Sequence, residues 1–286
     1  MTITAKIVAD SLAPTGQRLT TMELRYPRFI HSEELTHRVL SSTPEMIEVV
    51  SPDGVMYDRN LSRNASSSRA IPVERLIKDV IDDPVYPSYW GKNEPGMQAR
   101  EEHDAPVYLT GSSAVDRDAA WKSARDYAIM HAKAFSEAGY HKQIVNRLLE
   151  PFSHINVVVT ATEWENFFDL RRHADAQPEI KLLADAMWEA MNESEPIVLG
   201  YDSWHTPYVR EPVPQAQLIS AARCARVSYK THDGGEPDWD KDMRLSKQLI
   251  EGKHMSPFEH QARPLRDRWG KSGNFVGWCQ FRQQLQ

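Results

Sequence analysis

The sequence predicts an α+β protein, and three observations carry that prediction. Residues 1–20 lean towards strand, with Ile3, Ile7 and Val8 before a Pro-Thr-Gly turn at 14–16. Residues 155–162 are rich in β-branched side chains, the composition of a half-buried strand. Residues 116–139 and 178–191 instead space their apolar side chains for helices.

In chain order, Met22–Leu40 shows mixed helical spacing. Ser32 is the expected N-cap, Glu33 and Glu34 fill the first turn, and Leu35, Val39 and Leu40 face inward. Residues 41–61 read as an inserted β-hairpin: Met46–Val50 alternates, Ser51-Pro52-Asp53-Gly54 turns, and Val55–Tyr57 returns. A polar run, Ser62–Arg69, follows. Val73, Leu76, Ile77 and Val80 mark an amphipathic helix over 73–81, stopped by Asp83-Pro84. Residues 84–104 are irregular and aromatic, and Trp90-Gly91-Lys92-Asn93 reads equally as a pocket wall or a surface loop.

A helix over 116–139 ends at Gly139, and a second is expected over 142–150 with Ile144, Val145, Leu148 and Leu149 inward, ended by Pro151. After the strand at 155–162, Trp164–Leu170 returns to helical spacing. The 178–191 helix has Pro178 in its first turn and Ile180, Leu183, Ala184 and Met187 inward. Residues 192–216 are Pro-rich and are the expected boundary. Helices follow at 217–229 and 238–252, then His254–His260 and the tail.

Composition narrows the function classes. With 41% hydrophobic and 26% charged residues, this is an ordinary globular chain, long enough at 286 residues to bury a sizeable core. A net charge of −6 gives no global field for nucleic acid or anionic membrane, so any phosphate chemistry must rest on local basic clusters. No apolar run reaches the roughly 18 residues of a membrane span, and no signal-peptide pattern opens the chain. Cys224 and Cys279 make neither a disulfide framework nor a metal knuckle, as expected of the cytoplasm.

Several clusters could carry chemistry. The run Ser62–Arg69 offers hydroxyls, backbone N–H groups and guanidiniums to an anion, or is a solvated loop. His254, Glu259 and His260 fit a polar pocket lining better than a metal site, since the histidines are six apart. Arg171 closes an aromatic helix that also carries Asn166, either as a site residue or as a cation at a helix C-terminus. Neither GxGxxG after a strand nor GxxxxGK[ST] nor GxSxG occurs, which leaves Rossmann, P-loop and serine-hydrolase readings unsupported.

Three blocks together resemble the flavin-dependent thymidylate synthases, especially their phage relatives. His37-Arg38…Ser62-x-Asn64-x-x-Ser67-x-Arg69 is similar to the family's RHRxxSxNxxSxR. Arg147-x-x-x-Pro151, then Asn166…Arg171…Ala176-Gln177-x-Glu179-Ile180, is similar to its helix ending in RxxxxAQxEI. Ala225-Arg226-Val227-Ser228-Tyr229…His254-x-Ser256-Pro257-Phe258-Glu259-His260 is similar to its ARxSY…GHxSPFEH opening. That block usually comes first and here comes last, which implies a circular permutation, with 217–286 matching the usual N-terminal part. The first block is split by the hairpin at 41–61. Thr36, Ala65, Thr160, Thr162 and Asp175 depart from the family pattern.

The resemblance implies a small mixed or antiparallel sheet with a helical layer, a long-helix subdomain at 116–191, and a homotetramer. It implies FAD, with NADPH and methylenetetrahydrofolate as co-substrates, and one-carbon transfer to C5 of a pyrimidine deoxynucleotide, dUMP to dTMP by default. Residue by residue, Ser67, Arg69 and Arg147 hold the nucleotide phosphate, and Arg171 sits on the base carbonyl as the catalytic residue. His37, Arg38, Asn64, Asn166, His254, Ser256 and Glu259 line the FAD. No metal, membrane or nucleic-acid partner is expected, and the setting is cytoplasmic, in a host if phage-encoded. The departures at Thr36 and Ala65 keep open a C5 hydroxymethylation or hydroxylation of dUMP or dCMP. A non-catalytic nucleotide-binding relative and a His/Asp metal phosphohydrolase are the readings from other classes.

Overall fold

The computed structural model describes residues 2–36, 61–109, 113–210, 213–227 and 235–285. The predicted hairpin therefore lies outside the described residues except for Leu61, as do His37 and Arg38.

Strand β1 (Thr4–Leu12) turns at the expected place and returns as β2 (Arg18–Pro27). Gly16 sits at φ +89° in that turn, where an L side chain would be strained. The helical spacing expected from Met22 gives way to a period of two. Met22, Leu24 and Tyr26 are buried on one face, while Thr21, Glu23 and Arg25 point to the other. Helix α1 (His31–Thr36) starts before Ser32, which bonds Glu33, and Leu35 is half exposed. The Ser32 cap and the inward Leu35 are thus corrected.

Strand β3 (Leu61–Ala65) precedes α2 (Val73–Asp82), whose buried residues are the four its spacing selects. A two-stranded ribbon, β4 (Val107–Tyr108) and β5 (Ala114–Val115), leads to α3 (Arg117–Glu137). Asp116 caps α3 by accepting from the N–H groups of Asp118 and Ala119. The expected helix over 142–150 is only α4 (Lys142–Val145), passing into a tighter 3-10 segment, Asn146–Phe152. Pro151 lies inside that segment and has no N–H to carry an α-helix on, and Ile144 and Leu148 are exposed rather than inward.

Then come β6 (His154–Ala161), α5 (Glu165–Arg171), α6 (Pro178–Glu193), β7 (Ile197–Val198), α7 (Ala216–Arg226), α8 (Trp239–Glu251), β8 (Ala262–Pro264) and β9 (Trp278–Gln280). The main sheet has the order β3-β6-β2-β1-β7, antiparallel except for the β1–β7 edge. β7 arises within the Pro-rich stretch 192–216.

The sheet is covered on both faces. One face buries Met22, Leu24, Tyr26, Ile155, Val157 and Val159 against Phe167 of α5 and Ile180, Leu183 and Met187 of α6. Side chains of this size contribute roughly 1.5–3 kcal/mol each when fully buried. The other face packs Val158 against Tyr208, Cys224 and Val227, and Leu19 against Ala262, Phe275 and Trp278. A separate core joins α2, α3, α4 and the 3-10 segment through Leu76, Val80, Ile129, Ala132, Val145 and Leu149. The result is a mixed α+β fold with a small sheet, helical layers and a long-helix region.

Candidate active site

Two regions bring the sequence-selected residues together. The first is a cavity of about 1080 Å³ walled by Phe29, Glu33, Tyr89, Gly91, Pro151, Arg171, Gln177 and Glu179, among others. Single drug-sized ligands usually occupy roughly 300–1,000 Å³, so this space has room for one large ligand or two smaller ones. Gly91 lets residues 84–104 double back here, since a Cβ on it would stand 2.2 Å from Ala99 Cβ. Buried Glu179 pins that loop to α6, accepting from Ser88 N–H at 2.7 Å and Ser88 Oγ at 2.8 Å. Of the Trp90–Asn93 stretch, Gly91 lines the cavity. Arg171 enters the wall at the C-terminal end of α5, and Asn166 is half-buried near its start.

A cationic cluster adjoins the cavity through the neighbouring pairs Arg28-Phe29 and Glu150-Pro151. Arg147 donates to Glu150 Oε1 at 2.8 Å, and Ser68 Oγ to the same oxygen at 2.6 Å. Asn146 holds the 66–71 turn by donating to the Ser68 and Ile71 carbonyls at 2.7 and 2.9 Å. Ser67 and Arg69 are exposed on that turn. Burial, then Arg147, pulls the Arg28 pKa down, opposed by Glu150. Arg28 escaped the sequence reading because it follows Pro27 at a strand end with no motif around it.

The second region joins segments far apart in sequence. Asn64 on β3 lies with one end of its amide 3.3 Å from Ser256 Oγ and the other 3.0 Å from His260 Nε2. Glu259 pairs with Arg282 and receives Asn274 Nδ2 at 3.5 Å, while Gln280 Nε2 donates to its backbone carbonyl at 2.6 Å. Asn64, Ser256 and Glu259 are therefore brought together. His254 stands exposed two residues before Ser256, its backbone N–H on the Leu249 carbonyl. Among the described residues, no three His, Cys, Asp or Glu side chains come together to hold a metal ion. No helix among them is long and apolar enough to cross a membrane.

Asn64 and Ser256 belong to the first and third sequence blocks, and they meet although 192 positions separate them. The solved UMP/dUMP methylase PolB of Streptomyces cacaoi, bound with 5-Br UMP, is 16% identical over 67% of this chain and 89% of its own, with a TM-score of 0.42. The same enzyme bound with 5-Br dUMP is 13% identical over 67% and 90%, with a TM-score of 0.41. No curated protein matches the chain. The model of the family described as Thymidylate synthase complementing protein matches residues 19–197, the span that contains the first two blocks. With well over half of its length matched, this chain belongs to that family.

Proposed function

We propose that the protein is a FAD-dependent enzyme that transfers a one-carbon unit from methylenetetrahydrofolate to C5 of a pyrimidine deoxynucleotide, with dUMP to dTMP as the reaction. The observation that carries the reading is the cavity wall holding Arg171, set beside a cationic cluster, in a chain that belongs to this family. A dianionic phosphate is suited to the turn with Ser67 and Arg69 and to Arg147, because guanidinium forks bind phosphate oxygens through charge-assisted bonds. Arg147 is now held by Glu150, so phosphate competes with that carboxylate for it. Arg171 then faces the base carbonyl and stabilises the negative charge that builds as C5 becomes nucleophilic.

The neutral donors and acceptors of Asn64, Ser256 and Asn166 suit the amide-like edge of a flavin ring, so the residues present fit that cofactor. His37, Arg38, His254 and Glu259 complete the proposed cofactor set. When bound, FAD supplies the hydride, recharged by NADPH. No protein nucleophile is required. Exposed apolar residues along α3 and beyond, Tyr127, Met130, Phe135, Tyr140 and Ile144, support a homotetramer that buries them. The return of the third block onto the first supports a circularly permuted order. The proposed setting is the cytoplasm, a host's if the protein is phage-encoded.

An absorbance spectrum of the purified protein tests the cofactor. Product masses from dUMP and dCMP with methylenetetrahydrofolate and NADPH then test the reaction. Flavin bands and one added methyl on dUMP are expected. A colourless protein that FAD does not reconstitute would sink the reading, and a hydroxymethyl product or a reaction on dCMP would reassign the chemistry.

A further inference from the structure

A line of hydrogen bonds between buried side chains crosses the sheet beneath Asn64. Ser11 Oγ on β1 is 2.8 Å from His205 Nδ1, and His205 Nε2 is 2.7 Å from Thr21 Oγ1 on β2. Thr21 Oγ1 is 2.7 Å from Thr160 Oγ1 on β6, which is 2.8 Å from His260 Nδ1. His260 Nε2 reaches the Asn64 amide on β3 at 3.0 Å. Ser11, Thr21, Thr160, His205 and His260 are all buried. The proposed reaction uses neither histidine.

Burial pushes both imidazoles down to about 3, so at neutral pH each ring carries one N–H and one bare nitrogen. Each hydroxyl has one proton to give. Three arrangements satisfy every link. In the first, both histidines are protonated on Nδ1: His260 donates to Thr160, Thr160 to Thr21, Thr21 to His205, and His205 to Ser11. In the second, both are protonated on Nε2 and every bond reverses. In the third, His205 is protonated on Nε2 and His260 on Nδ1, and one threonine proton lacks an acceptor in the line, as the Ser11 proton does in the first; the reverse pair fails, because it leaves two hydroxyl oxygens 2.7 Å apart with no proton between them.

The surroundings of Asn64 select the tautomer of His260. The end of its amide that faces His260 also lies 3.2 Å from the Arg63 and Ser256 carbonyl oxygens. Those acceptors require the NH₂ there. His260 Nε2 is then the acceptor, the proton sits on Nδ1, and the Asn64 carbonyl oxygen faces Ser256 Oγ.

We infer that His260 is a positioning residue, held on its Nδ1 side by Thr160, that keeps the Asn64 carbonyl on the Ser256 side as an acceptor for an N–H or O–H group of the bound cofactor. The identity of that ligand as FAD rests on the proposed function; the orientation does not. The line makes Asn64 dependent on Thr160, a fully buried side chain.

Protein labelled with ¹⁵N-histidine, read by NMR without ligand at pH 7, tests the orientation. His260 should carry its proton on Nδ1. An Nε2–H His260 overturns the inference. Thr160→Val removes only the hydroxyl; it should move His260 towards Nε2–H and weaken FAD binding by about tenfold in a spectral titration, with Thr160→Ser restoring both. A folded Thr160→Val protein with unchanged tautomer, or with unchanged FAD affinity, also overturns it. Wild-type protein that binds no FAD would defeat the flavin reading, while the tautomer still decides the role of His260.

Discussion

The buried carboxylate of Asp242 joins α8 to α7, and its removal should loosen the whole layer that carries the third sequence block. Asp242 is fully buried, with Arg223 Nε at 2.9 Å and Arg226 Nη1 at 2.7 Å, and both arginines are nearly buried themselves. Arg223 also donates to the Tyr208 carbonyl at 2.6 Å. Asp242→Asn keeps the shape but removes the negative charge that faces two nearly buried guanidiniums. Breaking a buried pair costs about 3–5 kcal/mol, and two cations on one carboxylate place this case at the upper end. For a chain of this size each kcal/mol moves Tm by roughly 2–4 °C, so a fall of about 10 °C or more is expected. Urea denaturation and a thermal scan of the purified variant measure it. Replacing the triad together, with Asp242→Leu, Arg223→Met and Arg226→Met, should recover most of the loss, since apolar substitutes of similar volume carry no desolvation penalty. A loss under about 1 kcal/mol for Asp242→Asn would refute the reasoning, because it would mean that the carboxylate charge is not what holds the pair.

Four further outcomes are expected. Stability should fall as pH drops from about 6.5 towards 4: unfolded histidines take up protons near 6.5, while burial holds His205 and His260 neutral down to about 3. The unfolded state therefore binds more protons throughout that window, and the two groups together should cost about 2.7 kcal/mol per pH unit, a slope read by urea melts at stepped pH. Glu150→Gln removes the carboxylate that now holds Arg147; dUMP should bind about fivefold tighter by calorimetry, since one nearby unit charge is worth about 1 kcal/mol in water-like surroundings. Arg171→Ala should abolish turnover while the circular dichroism spectrum and the flavin bands persist, and loss of flavin together with activity would count against its assigned role. Met130→Glu on the exposed face of α3 should lower the mass measured by light scattering, because a charge cannot be buried there against another subunit.

Local patterns made part of this fold legible. β6, α2, α3 and α6 appear where the sequence puts them, because β-branched composition, apolar spacing, the Asp116 cap and a first-turn proline act within a few residues. Of the helix expected over 142–150 only the first turn is α-helical; the rest winds as a tighter 3-10 segment that holds Pro151, and only Val145 and Leu149 of its four apolar residues are buried. Asn64, Ser256 and Glu259 were legible only as motif letters, and their meeting depends on how a distant segment folds back.

β2 shows why the rest was hidden. Its period of two, with Met22, Leu24 and Tyr26 against Thr21, Glu23 and Arg25, ordinarily signals one core face and one wet face. Here Thr21, Thr160 and Ser62 are as dry as the core. The segment that covers them brings polar side chains of its own: Gln280 and Asn274 reach Ser62, and His205 and His260 reach the two threonines. The partners of Thr21 and Thr160 stand 184 and 100 positions away, beyond any window in which periodicity is read. A buried hydroxyl without a partner costs roughly 1–3 kcal/mol, and each of these threonines finds its partners in the other and in the histidine that meets it. This face of the sheet is thus a second core, fixed by polar pairing as well as by apolar area, and it is the surface on which the first and third sequence blocks are held together.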